Sequence, residues 1–475
     1  MNNYYWTFLF LILCACNNEV TVSTAEGTIT HISSDDYMNT VVDAYLYGYP
    51  LLLMNYTKQL GTNAITPHPT LPRAPINQLG HYRKFPDHTT TAVVKPNVDT
   101  YYSIAWFDLT EGPQVLHMPA TERYYLLCFY DAFTNVFANP GTRTSGSDEL
   151  DLLIVGPDHT DIDTTGYTVL RSPTDMAWLI GRIETYNDHD GSTVVRQIQD
   201  QMSLIPYSSI GDSSYVAPQG TLFERAAQAP VAQMEALSTE QFINQLSLLM
   251  NEQQAANYDQ QLLDRMAAIG IEAGERFELP TDNFILTQKL KAIPSVVHKR
   301  MRKRKATPDP AFIKNNWTII TSKLGEYQDD YLIRSYVSFV GLGANLAADA
   351  IYPFTTVDDQ GETLDGAQSY TIHMEAAAIP PVRGFWSLTA YNPDDFLIEH
   401  GYDRYAINSN DSLQYNDDGS LDLLIQAEPP TTLSESNWLP VRDDQEFSLT
   451  MRLYWPTDAI LDRLWEPPSV TRANK

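Results

Sequence analysis

A chain of 475 residues is longer than one ordinary hydrophobic core, so two domains or more are expected. Acidic side chains outnumber basic ones by 59 to 31, a net charge of −28 that repels nucleic acid and anionic lipid surfaces and excludes them as general partners. With 43% hydrophobic and 19% charged residues, the composition is that of a folded protein and not of a disordered one. An anionic small ligand stays open, because a local arginine cluster dominates at contact distance.

The chain begins with an apolar run, "TFLFLILCAC", too short to span a bilayer and the length of a signal-peptide core. It ends in Leu13, the small Ala15 and Cys16, which looks like a bacterial lipobox. Residues 1–16 therefore read as a lipoprotein signal with Cys16 lipidated, a simple cleaved signal being the alternative. Asn17 stands where an inner-membrane retention signal would have Asp, which favours the outer membrane, facing periplasm or surface. Residues 17–35, polar and rich in Thr and Ser, read as a tether. Cys128 is then the one cysteine of the mature body, so no internal disulfide can form. Its apolar setting, "YYLLCFY", predicts a buried structural thiol.

The amino-terminal domain is expected over 36–205. Its first element is a helix in "SSDDYMNTVVDAYLYGYPLLLMNYTKQL", capped by Ser34 or Asp35 and carrying apolar residues at helical spacing. "PHPTLPRAP" cannot continue it. Short strands follow: "YYSIAWFDL", "QVLHMP", "RYYLLCFYDA", "DLLIVGP", "YTVLRSP" and "MAWLIGRIE", several apolar on both faces, as in a sandwich with helices laid against it. "STVVRQIQDQM" reads as a helix.

Residues 206–350 read as a helical connecting region. "STEQFINQLSLLMNEQ" opens with a capping-box pattern, and "DDYLIRSYVSFVGLGANLAADA" reads as a second helix, ending before "IYP". Between them, "HKRMRKRK" at 298–305 reads as a solvated helix end, with contact to an anionic ligand or headgroup as the alternative. Strands return over 351–475: "SYTIHME", "GFWSLTAYN", "RYAINS", "LQYNDDGSLDLLIQ" and "EFSLTMRLYWP". "NDDGS" predicts a hairpin between two strands. In the last strand Phe447, Leu449, Met451, Leu453 and Trp455 alternate with Ser448, Thr450, Arg452 and Tyr454, one core face and one polar face. The fold class is thus mainly β, two β-sandwiches with helical connecting segments.

Several mechanisms are missing their signatures. The chain has no P-loop, no strand-linked G-x-G-x-x-G, no G-x-S-x-G and no H-E-x-x-H, and "GLGAN" at 341–345 is too short to count. No two histidines stand at metal-ligand spacing, and "NDDGSLD" fails the EF-hand pattern because Leu421 falls where Gly is required. No cofactor and no metal are therefore expected. What remains is a set of polar residues at strand ends: Asn97, Asp99, Asp131, Asn135 and Arg143 in the first sandwich, with Arg404, Tyr405, Asn437 and Trp438 in the second. Each also has a plain role, as turn cap, acid partner or core filler with one polar tip.

"PNVDTYYSIAWFDL", "YDAFTNVFANPGTRTSG" and "GRI" resemble the bacterial domain of unknown function numbered twelve fifty-four. "GFWSLTAYN", "DRYAI", "DGSLDLLIQ", "NWLP" and "FSLTMRLYWP" are similar to its usual partner, the domain of unknown function numbered twelve fourteen. The resemblance implies an exported protein of two β-sandwich domains, the second jelly-roll-like, and brings no agreed activity or catalytic residues. The family usually has Leu at the position of Tyr101.

The chemistry that best fits these residues is β-elimination beside a carboxylate, a lyase or dehydratase acting on uronate-containing oligosaccharide. It needs a base, for which Tyr102, His81 or Tyr130 would serve, and charge stabilisers, for which Arg143, Arg404 and Asn135 would serve. Asn97, Asp99, Asp131, Tyr405, Asn437 and Trp438 would contact substrate. Two readings stand beside it: a non-catalytic glycan or small-molecule binder, and a structural envelope protein. The partners expected are thus a small-molecule or oligosaccharide ligand, the membrane through the lipid anchor alone, and a further copy of the chain in a homo-oligomer.

Overall fold

The computed structural model describes residues 19–23, 29–91, 94–222, 228–281, 283–306, 312–402, 404–431 and 433–473; Cys16 and the apolar leader lie outside them. Where a plain tether is expected, Glu19–Ser23 and Ile29–Ser33 pair as an antiparallel ribbon, with Val20 buried.

The first helix, Ser34–Gly61, begins one residue earlier than expected. Its cap is Ser33, whose Oγ accepts from the Asp36 amide at 3.0 Å, and Asp35 and Asp36 favour the positive end of the helix dipole. From Ala44 to Met54 every residue is buried, the signature of a helix packed on all sides. Pro50 lies inside it and leaves the Leu46 carbonyl without its helical donor. Ser335 donates its hydroxyl to that carbonyl, so a neighbouring helix repairs the break.

The first half of the chain forms two facing antiparallel-rich sheets. One runs Gly80–His81, Thr100–Asp108, Met176–Glu184, Tyr125–Tyr130, Val136–Ala138; the other runs Ser203–Pro206, Gln114–Met118, Leu150–Val155, Thr168–Arg171. Alternation sorts the side chains. Tyr101, Ala105, Phe107, Leu127, Phe129 and Leu179 fill the space between the sheets, while Trp106, Cys128, Tyr130, Trp178 and Ile180 face outward into a second core. Those strands are apolar on both faces because the helices cover the outer one. Tyr101 fits inside because Gly191 beside it has no side chain: a Cβ there would lie 2.3 Å from the phenol. The Tyr101 hydroxyl donates to Asp188 at 3.0 Å.

The region expected to connect the sandwiches does more than connect. Helices Thr239–Glu252, Gln260–Ala267, Phe284–Lys291, Ile293–Ala306 and Tyr331–Gly341 gather around the first helix and share its core. Ser238 and Gln241 form the expected capping box. The helix expected to run to Ala350 stops at Gly341; Gly343 adopts φ +82°, which glycine tolerates and a helix does not. The basic helix buries Ile293, Val297 and Met301 and turns Lys299, Arg300 and Lys303 to solvent, with Arg302 bonded to Glu235.

The second half is again two sheets, and neither half closes into a barrel. One carries Ile313–Lys314, Trp317–Thr318, Phe354–Thr355, Ser448–Tyr454, Trp386–Tyr391 and Ala406–Asn408; the other carries Trp438–Pro440, Leu421–Gln426, Tyr370–Met374 and Val470–Arg472. Ile372, Leu388, Leu423, Leu449 and Met451 meet between them. The expected "NDDGS" hairpin is corrected: the turn closes, with Asn416 N to Ser420 O at 2.8 Å, but residues 413–416 form no strand. The Asn437 carboxamide takes both backbone groups of Gln414, at 2.8 and 2.9 Å, in place of a partner strand.

Candidate functional site

The polar face of the last strand is buried as thoroughly as its apolar face, because it meets the first half of the chain. Arg452, 3% exposed, donates to Thr389 Oγ1 at 2.8 Å, to the carbonyls of Lys95 and Pro96 at 3.1 and 3.3 Å, and to the Tyr391 hydroxyl. Its Nε lies 4.0 Å from Asp99 Oδ2. That same oxygen accepts from Ser387 Oγ at 2.6 Å and from the Tyr454 hydroxyl at 3.1 Å. Asn97 donates to Tyr454 at 2.9 Å and accepts from the Asp99 amide at 2.7 Å. Asn97 and Asp99 thus converge, but on the second sandwich. Their polar groups are taken up in a fastener between the two halves.

A different arrangement lies on the outer face of the first sheet. Arg182, in the Met176–Glu184 strand, sits directly across from Tyr102 and is 7% exposed. One nitrogen, Nη2, reaches the Gly343 carbonyl at 3.4 Å, and the guanidinium also lies against the Tyr130 hydroxyl, while Nε and Nη1 have no partner at bonding geometry. The guanidinium lies 5.3 Å from the Tyr102 ring centroid, an attractive cation–π contact. Burial works against its charge, but Tyr102, Tyr130 and Tyr352 around it favour the charge and raise Arg182 above the ordinary arginine value. Tyr102 and Tyr352 are half-buried, so they stand where solvent begins.

The "GLGAN" segment covers this part of the sheet. Gly343 presses on the sheet so closely that a Cβ would lie 2.4 Å from Ile180 and 3.2 Å from Trp178. Its carbonyl accepts from the Tyr130 hydroxyl at 2.7 Å. Asn345 holds the turn, donating to Leu346 O and Ala350 O at 2.9 and 3.0 Å and accepting from the Tyr352 hydroxyl at 2.7 Å. Burial raises the Tyr352 phenol and the Cys128 thiol to about 12 each, so both stay neutral.

The other expected site residues are distributed as follows. Tyr130 shares the face of Tyr102 but is fully buried, and burial holds its phenol well above the usual range. His81 lies on the opposite, inner face, with Nδ1 2.9 Å from Ser103 Oγ; burial and Arg83 lower it to about 4. It borders a separate groove of about 260 Å³ with His68, Arg83, Arg196 and Asp200. Arg143 pairs with the buried Asp349 at 2.6 Å, whose other oxygen accepts from Asn139 at 2.7 Å. Asp131 and Asn135 close a turn on one another: Asp131 accepts from the amides of Phe133 and Asn135 and from Asn135 Nδ2, at 2.8, 2.9 and 2.9 Å.

In the second sandwich, Arg404 binds the carbonyls of Glu435 and Ser436. Tyr405 meets His88 at 3.0 Å. Asn437 replaces a strand, and Trp438 Nε1 donates to Gln426 O at 2.9 Å. Of the expected residues, only Tyr102 and Tyr130 share the Arg182 face. Arg182 itself was not singled out by the sequence. Its one signal is position: in "MAWLIGRIE" it falls in the outward series Met176, Trp178, Ile180, a charge that follows three apolar residues on one face and precedes Glu184. Among the described residues no group of three or more His, Cys, Asp and Glu could hold a metal ion, and no helix is long and apolar enough to cross a membrane.

Two family models match the chain, both described as a protein of unknown function: DUF1254 over residues 76–206 and DUF1214 over 349–458. The chain combines these two domains. Arg182 and Tyr102 lie in the DUF1254 domain, Tyr352 and Arg452 in the DUF1214 domain, and Gly343 between the two. The fold is similar to the crystal structure of the VPA0106 protein from Vibrio parahaemolyticus, with TM-score 0.68 and 20% identity over 92% of this chain and 100% of that one. An uncharacterised protein from Burkholderia cenocepacia matches with TM-score 0.44 and 11% identity, covering 93% of this chain and 94% of its own. No curated protein matches significantly.

Proposed function

We propose that this protein is an exported lipoprotein, anchored through Cys16, that holds a carboxylate-bearing small molecule, of the uronate class, on Arg182. The observation that carries the reading is a buried guanidinium with two unpartnered nitrogens beside half-exposed aromatic rings. A bidentate carboxylate supplies the acceptors that the protein leaves out, and tyrosine rings offer flat faces to a sugar. The test is calorimetric titration of the full chain with glucuronate and with glucose. Binding of glucuronate alone, lost in Arg182→Met, is the expected result; equal binding of glucose, or retention in the variant, sinks it.

The contact between Tyr102 and Arg182 supports a second reading, β-elimination at the same site. The Tyr102 phenolate takes the proton from the carbon beside the carboxylate, and the C–H electron pair becomes the double bond. The neighbouring C–O bond breaks, and the departing alkoxide recovers the proton from Tyr102. Ultraviolet absorbance from the conjugated product, absent in Tyr102→Phe, is expected for this reading. Binding without absorbance would leave a binder, periplasmic or surface-exposed on the outer membrane.

A further inference from the structure

From Asn283 to Pro308 the chain has no Asp or Glu and eight Lys and Arg, although acids outnumber bases by 59 to 31 overall. This stretch supplies two consecutive helices, Phe284–Lys291 and Ile293–Ala306, which bury Leu286, Leu290, Ile293, Val297 and Met301. Helical spacing then fixes what faces outward. Ile285, Lys289 and Ala292 are exposed on the first helix, and Val296, Lys299, Arg300 and Lys303 on the second. Arg302 is paired with Glu235, but among the described residues no ion pair takes up Lys289, Lys291, Lys299, Arg300 or Lys303.

Large apolar side chains stand among these cations: Phe284 is 74% exposed, Ile285 62% and Val296 60%. One exposed apolar residue is ordinary, but three on two successive basic helices make a patch. A groove of about 530 Å³ brings Lys291 of the first helix together with Ser295, His298, Lys299 and Arg302 of the second. The single acid in its lining, Glu235, is the one bonded to Arg302. The net charge of −28 opposes anions at a distance, but at physiological salt it is screened beyond about 8 Å and local cations decide.

The start of the chain lies against the same two helices. Asn283, whose side chain caps the first of them, donates to Ser34 Oγ at 3.4 Å. Ser33, the residue before, pairs with Glu19 across the amino-terminal ribbon. Cys16 stands three residues before Glu19, a reach of about 10 Å. A lipid on Cys16 therefore brings the bilayer to this end of the molecule, near Phe284 and Ile285. Asp35 and Asp36 share that end, but they serve the dipole of the first helix, and Asp36 accepts from Ser33. A second copy of the chain offers acids to the cations but no reason for the anchored end to leave from the same place.

We infer that these two helices form a docking face for an anionic phospholipid surface. Phe284, Ile285 and Val296 enter the headgroup layer, and Lys289, Lys291, Lys299, Arg300 and Lys303 meet lipid phosphates. The placement draws on the anchoring at Cys16 proposed above, whereas the binding itself needs no lipid on the protein.

The test is flotation of residues 17–475, the full mature chain without its lipid, with vesicles of phosphatidylcholine alone or mixed with phosphatidylglycerol. Binding to the mixed vesicles should exceed that to phosphatidylcholine about tenfold or more and vanish in high salt. Lys289→Glu, Lys299→Glu and Lys303→Glu together should weaken it about a hundredfold, and Phe284→Ser with Ile285→Ser about tenfold. All five side chains are exposed, so both variants should melt close to wild type, and Arg182→Met should float unchanged. No flotation with the mixed vesicles, equal flotation with phosphatidylcholine, or full flotation of the triple variant would overturn the inference. So would a dimer in solution that Phe284→Ser abolishes, which gives the face to a second copy, or binding of free glycerol phosphate without vesicle binding, which gives the groove to a soluble anion. Labelling of Cys16 with palmitate in cells checks the anchor separately, so failure of one is told apart from failure of the other.

Discussion

Arg452 and Arg182 are both buried arginines on central strands, and they differ in how their nitrogens are spent. Around Arg452, acceptors from Thr389, Tyr391, Lys95 and Pro96 converge, and Asp99 adds a counter-charge. Around Arg182 there is one long contact to Gly343 and a wall of tyrosines. A buried charge with every partner present fixes one geometry and joins the two domains. One with partners missing is poised to receive them from outside, and its cost is borne by the folded state until something binds. The same residue type therefore marks a fastener in one place and, in the function proposed above, a receptor in the other.

The largest effect should come from breaking the fastener. Arg452→Met leaves Asp99 buried without its cation and strips several carbonyl partners, and should lower stability by about 3–5 kcal/mol in urea denaturation. A loss no greater than that of a surface substitution would remove the distinction.

His81 sharpens the contrast from the opposite face of the same sheet. It is a base whose burial lowers it to about 4, so unlike an arginine it can shed its charge. The unfolded chain takes up the proton near pH 6.5 and the folded one only near 4. Stability should therefore fall as pH drops through that window, by about 3 kcal/mol once both states are protonated. Denaturation midpoints of wild type and His81→Gln against pH check this, and the variant should lack that component of the slope.

Arg182→Met should behave oppositely to Arg452→Met. Without ligand it should leave stability unchanged or raise it by about 1–2 kcal/mol, because no paired partner is orphaned. A loss comparable to that in Arg452→Met would show that Arg182 is structural too. The smallest loss is expected of Ser387→Ala, which removes one of the donors to Asp99 and should cost about 1–2 kcal/mol by thermal unfolding. Binding at Arg182 should survive it.

Much of the architecture could be read along the chain. "MAWLIGRIE" forms a strand over its full length, Ser238 and Gln241 cap their helix, and Leu449, Met451 and Leu453 of the last strand face the sandwich core, although Trp455 lies beyond that strand and packs against the helical core. Short-range rules sufficed there, since period, propensity and caps act within a few residues. The misjudged elements each depended on a distant partner. Asn437 displaced the strand expected before "NDDGS", and the close approach of Gly343 to Ile180 accompanied the early end of its helix. The site was less legible. Tyr102 and Tyr130 are legible as site candidates, but Asn97 and Asp99 contact the second domain, and no local pattern marks Arg182 as a site residue.

By itself the amino-acid order determined most of the strands, the first helix and the capping box, and it carries no familiar cofactor motif; the core between the first sheet and the helices arose only in the tertiary fold. Only tertiary structure decided which polar atoms would find partners. Hydrogen-bond satisfaction depends on ångström-scale positions of groups hundreds of residues apart, such as Asp99 with Ser387 or Arg182 with Gly343, and no local pattern carries that information.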